Sequence, residues 1–267
     1  MASLTGKSPN DFYQDLLQMD NSNSGVSTGI QVIKDGAGNH SALWVSDDNV
    51  RVQPENDNGS ATFQVRSQGG SQTLLECDTT NDQVKLLGNY ANTQVQSMVV
   101  RDISPSAGQH YPMPLKGGLT DASGANWGFP TGFGTGTEPA TSLTLATPHD
   151  YLPCYMYLID SIMIDQVRVV ATSDSTSTST LNFHIYQYTV DTTTGTGSGS
   201  TAGDLSSGSL VAHNGSVLTV DSYGIYTTTL SIDDSTVTGS KVLLGFIEAV
   251  SINGDITAEM QIKYHLE

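Results

Sequence analysis

Apolar residues recur along this 267-residue chain in two rhythms. From about 26 to 100 they come as short alternating units: Ile30-Gln31-Val32, Leu43-Trp44-Val45, Val50-Arg51-Val52, Phe63-Gln64-Val65, Leu75-Glu76-Cys77 and Val84-Lys85-Leu86. Each predicts a strand of a few residues, and turn-formers such as Asp35-Gly36-Ala37-Gly38-Asn39, Asn56-Asp57-Asn58-Gly59 and Gln68-Gly69-Gly70 separate them. From about 151 to 267 the units lengthen. Ile162 to Val170, Leu181 to Tyr188, Val217 to Val220, Tyr226 to Ile232 and Val242 to Ala249 all read as strands. In the last one, Ile256, Ala258, Met260, Ile262, Tyr264 and Leu266 alternate with Thr257, Glu259, Gln261, Lys263 and His265. That is the pattern of a half-buried antiparallel strand.

Two further zones break the rhythm. Ser8-Pro9-Asn10-Asp11 supplies an N-cap, a first-turn proline and an acid ahead of Phe12, Leu16 and Met19 at helical spacing, which predicts one short amphipathic helix within 1–25. So short a helix has to dock its apolar face, either as a local cap or as an anchor on a larger assembly. Residues 101–150 hold six prolines and many glycines without periodicity, and predict a linker or an arm. The aromatic residues Tyr111, Trp127, Phe129 and Phe133 within it favour packing against a surface. The segment 192–203, rich in Thr, Gly and Ser, predicts a loop.

The expected organisation is all-β: an N-terminal helix or anchor (1–25), a stalk of short strands (26–100), the linker or arm (101–150) and an antiparallel β-sandwich, jelly-roll-like, over 151–267. A strand with only two inward apolar side chains does not build a sandwich core by itself. It can where copies from several chains meet on one axis. The stalk therefore predicts a homotrimer with Ile30, Val32, Leu43, Val45, Val50, Val52, Phe63, Val65, Val84 and Leu86 lining the axis. An irregular small β-domain in a monomer is the alternative.

Charge narrows the partners. Ten Lys and Arg against 27 Asp and Glu give a net charge of −17, which repels a phosphate backbone and an anionic membrane leaflet alike. No apolar run is long enough to span a bilayer and the N-terminus lacks a signal-peptide pattern, so synthesis and assembly in a cytoplasm are expected. Cys77 and Cys154 fall in different zones and are expected to be free thiols.

Catalytic and metal motifs are weak. Gly6-Lys7-Ser8 resembles the end of a phosphate-binding loop but lacks the earlier glycine. The histidines at 40, 110, 149, 184, 213 and 265 are scattered, and a solvent-facing position is the simpler reading of His184 and His265. Asp20-Asn21-Ser22-Asn23-Ser24-Gly25 has the first half of a calcium loop, but Gln31 stands where the bidentate carboxylate belongs, so a polar turn is favoured. No catalytic residue, cofactor or metal is expected. Trp127, Tyr223 and Tyr226 are candidate glycan contacts, with core packing the favoured role of each.

The run Asp15-Leu16-Leu17-Gln18-Met19-Asp20-Asn21-Ser22-Asn23-Ser24-Gly25-Val26, followed by Val32-Ile33-Lys34-Asp35-Gly36-Ala37-Gly38-Asn39-His40-Ser41-Ala42-Leu43-Trp44-Val45-Ser46, resembles fibre-like and head-decoration (cement) structural proteins of tailed bacteriophages, particularly marine and freshwater ones. The resemblance covers about residues 12–50. It implies an axial trimeric stalk carrying a distal module, with the major capsid protein or other virion proteins as partners, Phe12, Leu16 and Met19 as the anchor, and the virion as destination. Three functions follow as expectations: capsid decoration or a head fibre; a short tail fibre recognising a host glycan or protein; and a glycan-degrading spike enzyme, disfavoured because no acid cluster or long repeat is visible.

Overall fold

The computed structural model describes residues 17–20, 25–115, 133–144, 151–192 and 203–267. The protein divides into two compact units, Met1–Ala91 and Asn92–Glu267. The described residues are all-β, with antiparallel sheets.

The first unit holds two four-stranded meanders in chain order. One is β1 (Gln18–Met19), β2 (Gln31–Lys34), β3 (His40–Val45) and β4 (Val50–Val52); the other is β5 (Phe63–Arg66), β6 (Thr73–Asp78), β7 (Gln83–Leu86) and β8 (Asn89–Tyr90). The β2–β3 turn is fixed by Asp35, whose carboxylate accepts from the backbone and side-chain amides of Asn39 at 2.8 Å each. The expected short strands are therefore present. Met19 departs from its expected helix: it pairs with Ile33 across β1 and β2, where ladder hydrogen bonds satisfy a backbone that one isolated turn of helix would leave to water. Phe12 and Leu16 lie outside the described residues. Asp20, the first oxygen of the calcium-like run, is ion-paired to Lys34.

The second unit contains β9 (Gln94–Ile103), β10 (His110–Met113), β11 (Met156–Tyr157), β12 (Ile162–Ser173), β13 (Ser179–Val190), β14 (Leu205–His213), β15 (Leu218–Val220), β16 (Tyr226–Ile232), β17 (Thr236–Val237), β18 (Val242–Ser251) and β19 (Ile256–Leu266). Its main sheet runs β10-β18-β13-β14-β16-β12-β19-β9. The ends of that path approach each other: the Val99 N–H donates to Pro114 O at 2.7 Å, and Met98 bridges to Leu115. The sheet is nearly closed, which removes most of its free edge. The pairings nest, β9 with β19, β10 with β18, β12 with β16 and β13 with β14.

Two boundaries move relative to the sequence reading. Residues 94–100, expected in the stalk, pair with β19 in the second unit, and part of the expected linker is sheet, because β10 pairs with β18. The Pro-Gly composition of 101–150 hid four residues, His110, Tyr111, Pro112 and Met113, whose side chains are all buried.

Inside the second unit the two halves of the sheet face each other across one core. Ile256, Ala258, Met260, Ile262 and Tyr264 of β19 meet Val167, Val169, Phe183, Ile185 and Ile247 there. Each such Val, Ile, Met or Phe side chain, withdrawn from water, contributes about 1.5–3 kcal/mol. Strands β13 and β18 are buried on both faces, since Tyr186, Tyr188, Leu244 and Phe246 point outward into a second cluster with Phe133, Leu143, Tyr151, Cys154 and Leu205. Two-sided burial explains why Val242 to Ala249 is apolar except for Gly245 and Glu248 instead of alternating. Burial also pushes the Cys154 thiol up to about 12, which leaves it an inert packing group; Cys77 is free as well.

Ile262→Ala is expected to destabilise the second unit by about 2–5 kcal/mol, because its site is sealed between β9 and β12. Val95→Ala, at an exposed position on β9, is expected to change stability by about 0.5 kcal/mol or less. Denaturant unfolding of the two variants measures both.

Candidate functional site

Two surfaces and one side-chain cluster are candidates. The first surface belongs to the meanders. In β3 and β4, Leu43 lies opposite Val52 and Val45 opposite Val50, so these four side chains share one face. Val50 is 73% exposed there, and Leu43 and Val52 are exposed too. In β5, β6 and β7, Phe63, Cys77 and Val84 form one row and Val65, Leu75 and Leu86 the next. Phe63, Val65, Val84 and Leu86 are all exposed. The opposite face of that second meander is polar and internally paired. Gln64 donates to Glu76 at 2.6 Å, and Lys85 approaches Glu76 at 3.7 Å and Asp78 at 3.4 Å. The Asn81 amide, with Lys85 behind it, holds the Asp78 carboxyl below the usual carboxylate range.

Eight of the ten expected axis residues thus fall on two apolar faces, one on each meander. Val32 does not: it is buried on the other face of its sheet, beside Trp44 and Arg51, whose guanidinium lies 5.7 Å from the Trp44 ring. A one-residue step in a strand reverses the face, and Val32 has the phase of Trp44, not of Leu43. Ile30 lies half-buried just ahead of β2.

The second surface is the turn between β15 and β16. Tyr223 is 78% exposed and Ile225 is 74% exposed, so two large apolar side chains project from one loop. Tyr226 takes the core-packing role weighed for it. It packs against the core and its hydroxyl donates to Asp221, which also accepts from the Tyr223 N–H. Trp127 lies outside the described residues.

The cluster lies on the outer face of β10, β18, β13 and β14. An arm over residues 133–144 covers part of that face. Phe133 packs on Phe246 with ring centroids 5.0 Å apart, Tyr186 donates its hydroxyl to Glu138 at 2.7 Å, Tyr188 donates to Ala140 O at 2.9 Å, and Leu143 bridges to Leu205. Gly208 of β14 allows this approach: a Cβ there would stand 2.5 Å from the Tyr188 ring and 2.9 Å from the Thr141 backbone. Beside the arm run three imidazoles. His110 and His184 have ring centroids 5.2 Å apart, and His213 stacks on His184 at 6.4 Å. His213 donates to Asp233 at 2.8 Å, and Asn182 donates to Glu248 at 3.0 Å. Burial lowers the His110 pKa, and takes that of His184 down to about 4 with a further push from the neighbouring imidazoles.

Sequence reasoning placed His184 and His265 facing water, and both are buried. His265 is bonded at 2.9 Å to Asp165, which the bulge between Ile164 and Gln166 turns toward it. Glu138 and Glu248 escaped notice altogether, and His110 was read only as one of six scattered histidines. Glu248, an acid inside an apolar run, was the available signal. Asp102, Asp174 and Asp255 bring one carboxylate oxygen each within 4.8 Å of one another. An oxygen-preferring divalent cation could bridge them, yet loops converging on a strongly acidic surface give the same grouping.

Compared with known proteins, the chain matches no family model and no curated protein.

Gly208→Ala is expected to lift the arm by overpacking, at a cost of about 1–3 kcal/mol, since the obstructing atoms are a buried ring and backbone. Faster backbone hydrogen exchange confined to 133–144 and β14 is the signature; unchanged exchange there contradicts the packing described.

Proposed function

We propose that the chain is a structural, non-catalytic protein of a bacteriophage virion, a homotrimer that decorates or cements the capsid or forms a head fibre. The single observation that carries the reading is the pair of apolar faces on the meanders, open to water in one chain. Sheet faces that leave Val, Leu and Phe bare need a cover, and further copies of the same sheet provide a matching one. Three copies around an axis is the simplest closed arrangement for strands this short. The resemblance of residues 12–50 to phage fibre-like proteins supplies the virion setting.

The second unit is, in this proposal, a jelly roll. Pairing the first strand with the last, the second with the next to last, and so inward is what folding one long antiparallel hairpin and rolling it up produces. Such sandwiches serve capsid and sugar-binding roles alike, so the fold alone does not choose between them. A cement protein acts by burying area across neighbouring capsid subunits, so that expansion must break extra interfaces. The acidic exterior suits a particle's outer skin, and the protein would be assembled in the host cytoplasm with the major capsid protein or other virion proteins as partners.

One observation favours a second reading, a short tail fibre or receptor-binding protein: the Tyr223 and Ile225 side chains exposed on one loop could contact a host glycan or protein. Counting copies per virion separates the two. A number that scales with capsid subunits supports decoration, and a few copies per particle overturns it in favour of the tail. Within either reading, Val52→Asp is expected to weaken self-association by ~10-fold or more, because like charges converge on one buried axis. The slower-sedimenting species should keep the thermal unfolding of the second unit. Unaltered sedimentation sinks the axis assignment.

A further inference from the structure

We propose that His110 and His184 form an acid-sensitive latch, which keeps the 133–144 arm seated on the outer face of β13 and β18 at neutral pH and releases it on acidification.

The geometry sets up the latch in three steps. The His110 Nδ1 lies 3.3 Å from Gly134 O, and a carbonyl oxygen only accepts, so Nδ1 carries the proton. Gly134, in the left-handed region at φ +96, turns that carbonyl toward the imidazole and begins the turn closed by the Ala140 N–H donating to Phe133 O at 2.7 Å. Nε2 of the neutral ring is then a bare acceptor facing another acceptor, Glu248 Oε2, at 3.7 Å. Neither His110 Nε2 nor His184 Nδ1 makes a hydrogen bond among the described residues, although both residues are more than nine-tenths buried. Two neighbouring imidazoles therefore each bury one ring nitrogen away from water and from any partner among the described residues, and the His110 ring does so directly beneath the Gly134 carbonyl of the arm.

The groups facing the pair come from every element around it. Glu248 stands on β18, His213 on β14, Asp233 beyond β16, Asn182 and Tyr186 on β13, and Glu138 with the Gly134 carbonyl on the arm. Glu248 and Glu138 favour protonation of His110, but burial outweighs them; His184 is opposed by His110 and His213 as well as by burial. Both shifts are downward, so the covered state binds protons more weakly than an uncovered one. Its advantage is complete above the ordinary imidazole range, shrinks as pH falls from about 6.5, and is gone below the covered values. For His184, the drop from 6.5 to about 4 corresponds to proton binding on the order of a few hundredfold weaker than for a free imidazole, with burial as the largest cause and His110 and His213 adding to it. Charging both rings also puts two cations with centroids 5.2 Å apart against an apolar cluster.

Hydrogen exchange of the full-length chain, with rates corrected for the intrinsic effect of pH, tests this. Between pH 7 and 4.5 the arm should lose at least ~10-fold of its protection, while β12 and β19 keep theirs. A His110→Asn/His184→Asn double variant, neutral at both positions and still carrying Glu138, Glu248 and Asp233, should keep the arm protected at pH 4.5. The latch is wrong if the wild-type arm stays protected, if arm and sheet open together, or if the double variant opens at the same pH, which would assign the effect to the carboxylates. NMR titration of the wild-type imidazoles is the independent check: His110 should titrate below the ordinary imidazole value and His184 at about 4, and an ordinary value for both overturns the proposal without recourse to a variant.

Discussion

An apolar sheet face must be covered, and how each face of this protein meets that demand organises the rest of the structure. In the second unit the two halves of a nearly closed sheet cover each other, so Met260, Ile262, Phe183 and Ile247 are withdrawn from water without help. The outer face of β13 and β18 is also apolar, and there the cover comes from residues earlier in the chain, Phe133, Leu143, Tyr151 and Cys154. In the meanders of the first unit, Leu43, Val50, Val52, Phe63, Val65, Val84 and Leu86 remain exposed in a single chain. The same constraint that is satisfied twice in the second unit is left open in the first, and the proposed trimer closes it.

How much of this was legible follows from which signals are local. Alternation is local, so Val50–Val52, Tyr226–Ile232 and Ile256–Leu266 were readable to the residue. Strand β14 was not, because Leu205-Ser206-Ser207-Gly208-Ser209-Leu210 is loop-like in composition and its pairing with β13 is interrupted by irregularities in register. There Gly208 and the small serines make room for the arm, a tertiary reason that no window of sequence contains. Strand β10 was hidden for the opposite reason. His110-Tyr111-Pro112-Met113 lies in a proline-rich zone, and Pro112 is tolerated because β10 stands at one end of the strand order of the main sheet.

The titratable cluster was harder still. His110, Glu138, His184, His213, Asp233 and Glu248 come from six separate stretches of chain, and only the nested strand order brings them together. Their chemistry depends on burial more than on identity: His213, half-exposed and bonded to Asp233, sits 6.4 Å from His184, which is buried with no partner for Nδ1 among the described residues. Sequence reports residue types, whereas the lowered pKa values of His110 and His184 come first from burial in the folded chain. Val32 shows the same limit on a smaller scale. Its residue type and alternation matched the axis set, and only its register with Trp44 assigns it to the opposite face.

The central claim is that the open faces of the meanders are covered by other copies of this chain. The mass of the unmodified protein in solution, followed by light scattering over a wide range of concentration, tests it most directly. The account predicts a species of about 85 kDa, three times the 28.2 kDa chain, that persists on dilution. A stable, soluble 28.2 kDa monomer at every concentration would contradict it.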